Sequence, residues 1–560
     1  MAGFARPDAA TSSPLSRRSA LRLGGSVALL FAAGCAAGTK AGGETQPSGA
    51  ATGTASGGTG AAGGTLRIAV SSYISSWDQD FVGFDLTALM LYKNVFPYLI
   101  DYGVKDVGGS QILDSENITP TFAESFEPDA DNKVWTLKLR KGVKFAGGNE
   151  MTAADVKWSK DRAFAAQANV AGVYRLIGLT KADQVKVVDD YTVEFHQAFP
   201  SALTRQIQAI SLYVFDSAEA KKHATDADPW AKEWFAKNPP TGGYFNVAKA
   251  VQGQEIELAA NTGYPGPDPA KLGTIRLTVV PAAANQRLQL QAGDVDLALG
   301  MSRRDIADLK NAQGIKVISA PSNNQVAIQM SVTSAPFDDV KVRRALACAV
   351  PYEQIIANVY GGDARPTKSL VPLDMPGYAE TGYPYAYDLD KAKSLLAEAG
   401  KPAISSELVF EADNGEQQQI AVLVQSEARK AGIELKLVPL DPATLGERRS
   451  KKNIPLQLTA GQLWVNDVEY MLGTSFTKGA SLNYSNYVND EIEEIFDKSH
   501  TTVEDADRLK LWARVQEILA EDVPWAVICQ PNFTLPVREK VAGWVQPMDG
   551  LARLRYLGGV

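Results

Sequence analysis

The chain has 560 residues, 45% hydrophobic and 21% charged, with a formal charge of −8. Its length predicts three to four domains, and its composition excludes a wholly disordered or fibrous protein. The first 34 residues hold four Arg and one acid, so the remainder carries −11 and lacks the basic footprint a nucleic-acid partner requires. Three His and three Cys leave few parts for metal or nucleophile chemistry.

The N-terminus reads as an address. Ser16-Arg17-Arg18-Ser19-Ala20-Leu21-Arg22 precedes an apolar run, Leu23 to Ala33, too short to span a bilayer. A charged start, a short apolar stretch and small residues before a cut site predict an export signal over 1–34. Arg17 and Arg18 fit the twin-arginine type, and Sec export stays open. Ala32-Ala33-Gly34-Cys35 resembles a lipobox, which makes Cys35 the lipidated first residue of the mature chain. Residues 35–64 then read as that cysteine and a Gly/Ala/Thr/Ser tether, about 30 Å end to end. Its Gly58-Thr59-Gly60-Ala61-Ala62-Gly63 matches GxGxxG but precedes any strand, so no dinucleotide site is expected.

Leu66 to Val70 reads as the first strand of the folded body. Alternation predicts further strands at Val134–Leu139, Tyr191–Phe195 and Glu255–Ala260. Thr152 with Asp155 marks a helix start of capping-box type. Val342 to Val350 reads as a helix broken at Pro351. A second helix is capped by Asp388, carries Ala392, Leu395, Leu396 and Ala399 on one face, and stops at Gly400 and Pro402. A third ends at Ala431-Gly432 before a strand at Glu434–Val438. The fold class is α/β.

Several segments together carry a resemblance. They are Pro120 to Phe126, Trp135 to Phe145 with Met151 to Val156, Thr241 to Phe245 through Asn261, Val342 to Leu346, and Lys391 to Gly400. In this order they resemble the extracytoplasmic solute-binding proteins of ABC importers, the peptide/nickel-binding family 5. The resemblance implies a type II periplasmic-binding-protein fold (cluster C), with two α/β lobes, a hinge and an inserted domain. Lobe I is expected over 65–101, 241–328 and 530–560, domain II over 102–240, and lobe III over 329–529. Ligand would be caught between lobes I and III.

The resemblance places the ligand site at Trp464-Val465-Asn466-Asp467. It implies that Asp467 pairs with a ligand amine, that Trp464 forms a wall, and that the backbone of 463–466 pairs with an extended peptide. Core packing for Trp464 and a helix N-cap for Asp467 are the structural alternatives. The facing wall is expected from Ser72 to Asp78, with Tyr73 and Trp77 as aromatic candidates or core residues.

The implied partners are a peptide-like solute and the permease and ATPase subunits of an importer. The chain is expected to be a monomer held to the outer face of the cell membrane through Cys35. No catalytic residue, metal or cofactor is expected. A nickel chelate, an oligosaccharide or an opine in place of a peptide, a sensing role without import, and an exported hydrolase remain alternatives. His196, His223 and His500 are scattered, with His500 on an expected surface helix. Cys348 and Cys529 are expected to be buried thiols, with one disulfide as the other possibility.

Overall fold

A computed structural model describes residues 63–82, 85–380, 385–461, 463–502 and 504–560. Cys35, Arg17, Arg18, the export signal and the tether through Ala62 lie outside the described residues.

Two mixed sheets form the centres of two α/β lobes. The first has seven strands, in the order Ile315–Ala320, Phe533–Arg538, Leu297–Ala298, Thr65–Val70, Thr274–Val279, Glu255–Ala260 and Phe245–Val251. The strand Thr65–Val70 runs parallel to both of its neighbours. The second has six, in the order Ala364–Arg365, Trp525–Pro531, Gln325–Met330, Leu456–Gly461, Ile404–Glu411 and Ile433–Leu440. Here Ile404–Glu411 is parallel to both neighbours. A hairpin, Ile100–Val107 with Ser110–Pro120, and a four-stranded sheet are inserted between the first two segments of the seven-stranded lobe.

Local chemistry explains the elements read from sequence. Val134–Leu139 buries Trp135, Leu137 and Leu139 and turns Thr136 and Lys138 outward. The helix Ala153–Ala165 starts where the Thr152 N–H donates to Asp155 at 2.8 Å. Asp388 caps Leu389–Glu398 through the Lys391 N–H, and Gly400 follows in the left-handed region at φ 66°. Helices Val340–Cys348 and Tyr352–Tyr360 flank Pro351. Cys348 and Cys529 are both free and buried in the core of the six-stranded lobe.

The chain passes between the lobes at 321–324 and again at Asn532. The expected boundary at 328 falls inside the strand Gln325–Met330. That strand is buried at every position, so no alternation marks where it starts. The Ser322 hydroxyl donates to the Pro531 carbonyl at 2.7 Å, which ties the two crossings together. The C-terminal arm returns to the first lobe. There Arg553 and Arg555 clamp buried Asp101 at 2.7 and 2.8 Å, with Lys93 at 3.1 Å. These cations hold the Asp101 carboxyl well below the usual range against the burial that would raise it.

Candidate functional site

Two turns follow the C-terminal ends of central strands that each run parallel to at least one neighbour, where open α/β sheets place their ligand sites. Residues 71–78 leave the strand Thr65–Val70, and 461–467 leave Leu456–Gly461. They belong to different lobes yet share one hydrophobic cluster. Ile74 and Trp77 from the first turn, Val465 from the second and Tyr470 of the helix that follows it are buried in it, and Tyr73, Leu463 and Trp464 pack half-buried against it.

The expected residues divide by role. Tyr73 and Trp464 are half-buried on the two turns. Trp77 is 4% exposed and belongs to the core, the second of the two readings open to it. Val465 is fully buried. Asn466 is buried and occupied: its Nδ2 donates to the Ser115 hydroxyl at 3.2 Å, and that hydroxyl donates to the Asn466 carbonyl at 3.2 Å. Asn323, in the first crossing, donates to Asn466 Oδ1 at 3.1 Å and to the Met548 carbonyl at 2.6 Å. The 463–467 turn is thus pinned to the inserted hairpin and to the crossing.

Asp467 is the N-cap of the helix Val468–Phe476, its carboxylate accepting from the Glu469 N–H at 2.8 Å. The same carboxylate receives the fork of Arg508, both nitrogens at 3.1 Å. Arg508 also lies 3.3 Å from Glu469, whose Oε2 accepts from Trp512 Nε1 at 3.4 Å. The side chains of Asp467 and Arg508 are 2% and 4% exposed, so the acid's partner in this conformation is an arginine of its own lobe. Burial raises the Asp467 pKa, and the Arg508 charge opposes the rise. Burial alone would lower the Arg508 pKa, but Asp467 and Glu469 raise it overall.

His500 was expected on a solvated surface. It is 16% exposed at the side chain, with Nδ1 3.3 Å from Glu469 Oε1. Its ring lies 4.4 Å from Phe496 and 5.1 Å from Phe199 of the inserted domain. The burial follows from the helix Asp490–Ser499 ending against Glu469, a contact that sequence spacing does not encode.

The turn of the other lobe has a matching support. Asp78 and Asp80, just after Trp77, are bound by Arg162 of the helix Ala153–Ala165. Arg162 meets the two oxygens of Asp78 at 3.0 and 2.5 Å, pairs with Asp80, and donates Nε to the Trp230 carbonyl at 3.1 Å. Asp80 also accepts from the Tyr213 hydroxyl at 2.5 Å. Burial pushes the Asp78 carboxyl up to about 6, with Arg162 opposing.

The carboxylates at each turn are held by a buried arginine, Asp78 and Asp80 by Arg162 and Asp467 and Glu469 by Arg508. Neither Arg162 nor Arg508 was legible as a site residue. Arg508 stands 41 residues from Asp467 on a helix, Asp505–Asp522, with acids and bases along its length. Among the described residues no cluster of His, Cys, Asp and Glu has the geometry of a metal site, and no helix is long and apolar enough to cross a membrane.

Comparison with known proteins agrees with this architecture. Residues 117–483 match the family model for bacterial extracellular solute-binding proteins, family 5 Middle. The dipeptide-binding protein of Escherichia coli (strain K12) is 30% identical over 460 residues, covering 77% of this chain and 84% of the relative. Heme-binding protein A of Haemophilus influenzae is 29% identical over 469 residues, covering 78% and 83%. The periplasmic binding protein DppA of Helicobacter pylori, solved with the peptide STSA, superposes with a TM-score of 0.75 at 23% identity, covering 88% of this chain and 98% of that one. The fold is that of the type II periplasmic binding proteins, and the chain belongs to the bacterial extracellular solute-binding proteins of family 5.

Proposed function

We propose that the chain is the lipid-anchored receptor of an ABC importer, which captures a peptide-like solute between its two lobes and delivers it to the permease. One observation carries the reading of the site. Tyr73 and Trp464, on turns from different lobes, pack half-buried against the same cluster. In this reading a ligand bridges the two turns and touches both lobes at once, so its binding favours the closed state. The peptide part rests on the relatives, one a dipeptide-binding protein at 30% identity and one solved with a tetrapeptide. The protein does no chemistry on its ligand.

Titration calorimetry with di-, tri- and penta-L-alanine tests this. A dissociation constant in the micromolar range, near −8 kcal/mol, is expected for at least one of them, with the peptide recovered intact. Binding of heme with none of the peptides would move the protein to the alternative that its heme-binding relative suggests.

The anchor is proposed at Cys35, behind an export signal carrying Arg17 and Arg18. Two or more acyl chains hold a protein stably at a membrane, whereas one binds only marginally. Cys35→Ser is expected to move the protein from the membrane fraction to the soluble exported fraction. Unchanged membrane association would contradict the anchor.

A further inference from the structure

Gln325 opens the strand Gln325–Met330, directly after the chain crosses between the lobes. Its register partner is Gly461, the last residue of the neighbouring strand and the first of the turn that carries Trp464. Successive side chains on a strand point to opposite faces. Val326, Ile328 and Met330 face one cluster, whereas Ala327 faces the cluster of Val468, Met471 and Leu472. Gln325 therefore lies on the face of the 463–468 segment, at the base of that turn.

Gln325 is 7% exposed, yet neither its side-chain nitrogen nor its oxygen has a hydrogen-bond partner among the described residues. The contrast with nearby buried glutamines is direct. Gln329, four residues on along the same face, accepts from Gln457 Nε2 at 3.0 Å. Gln530 donates to the Ser322 carbonyl and accepts from the Leu373 N–H at 2.8 Å. Asn323 and Asn324, just before Gln325, each leave the side-chain oxygen unpartnered as well. A carboxamide offers two donor hydrogens and two acceptor lone pairs, and burying them unmet opposes folding. Such a group persists where something outside the protein chain completes it. The charged groups nearby are already matched, Asp467 and Glu469 by Arg508.

We propose that Gln325 is a ligand-binding residue that reads a neutral polar group, such as a peptide amide, by donating and accepting one hydrogen bond each. The inference rests on the peptide-receptor reading and adds a contact to it. Calorimetry with tri-L-alanine, on wild type and on Gln325→Leu, tests it alongside the melting temperatures of both proteins without peptide. The expected result is at least a tenfold loss of affinity in Gln325→Leu with no fall in the peptide-free melting temperature, since the change removes an unmet amide and keeps most of the volume. Gln325→Asn, which keeps donor and acceptor on a shorter stem, should fall between the two in affinity. Equal affinity in wild type and Gln325→Leu overturns the assignment, and a lowered peptide-free melting temperature in that case identifies the amide as the seat of a structural water. A wild-type chain that binds none of the alanine peptides overturns the peptide reading itself and this inference with it.

Discussion

Replacing Arg508 with methionine is expected to lower folding stability at neutral pH by roughly 3–5 kcal/mol, the cost of leaving a buried ion pair with one partner removed. The size follows from the geometry. One guanidinium serves two carboxylates that are at most 2% exposed, so its loss takes the arginine fork from Asp467 and leaves Glu469 with His500 as its basic neighbour. The defect has a definite pH dependence. The folded-state pKa of Asp467 lies above its ordinary value because of burial, and losing Arg508 moves it further up. A group shifted this way contributes stability that is present below its unfolded pKa and lost as pH rises through the folded one. The deficit of Arg508→Met should therefore shrink as pH is lowered and Asp467 takes up a proton. Urea unfolding of both proteins at several pH values measures this. A loss under about 1 kcal/mol, the size of a solvated pair, would mean that water reaches the cluster.

The second large effect is expected in the opposite lobe. Arg162→Met should also cost about 3–5 kcal/mol, because Asp78 and Asp80 are buried and both lean on that one guanidinium. It should weaken peptide binding as well, since the turn bearing Tyr73 loses the fork that fixes its end. Asp78 gives the cluster its own titration. Its carboxyl is pushed up to about 6 from 3.8 by burial, so its contribution is complete below about pH 4 and is lost as pH rises through 6. Relative to Asp78→Asn, wild type should accordingly lose stability between pH 4 and pH 7, read from melting temperatures across that range. A difference independent of pH would show that Asp78 stays ionised throughout.

Much of the fold is legible in local pattern. Strands with one buried face, such as Val134–Leu139, announce themselves by alternation, and helices such as Leu389–Glu398 carry their caps in sequence. The chain crossing is not legible, because Gln325–Met330 is buried on both faces and has no period to read. For the candidate site, local pattern shows where the two turns leave their strands and nothing of what holds them. The turns at 72–78 and 463–467 follow from strand ends and resemblance, and both add residues to a cluster that also takes in the inserted domain. The electrostatics depend on partners far apart in the chain: Arg162 stands 84 residues from Asp78, and Arg508 stands 41 from Asp467. A lone arginine on a charged helix gives no sign that it will be buried. The same holds for His500, which closes against Glu469 and Phe199 only in the folded chain.

Hydrogen–deuterium exchange with and without tri-L-alanine tests the central claim most directly, because it reads both turns in one experiment. A solute held between the lobes should slow amide exchange at 71–77 and at 461–467 together, with the surfaces remote from them unchanged. Slowing at only one of the two turns, or at neither while the peptide is demonstrably bound, would contradict a site shared by the two lobes.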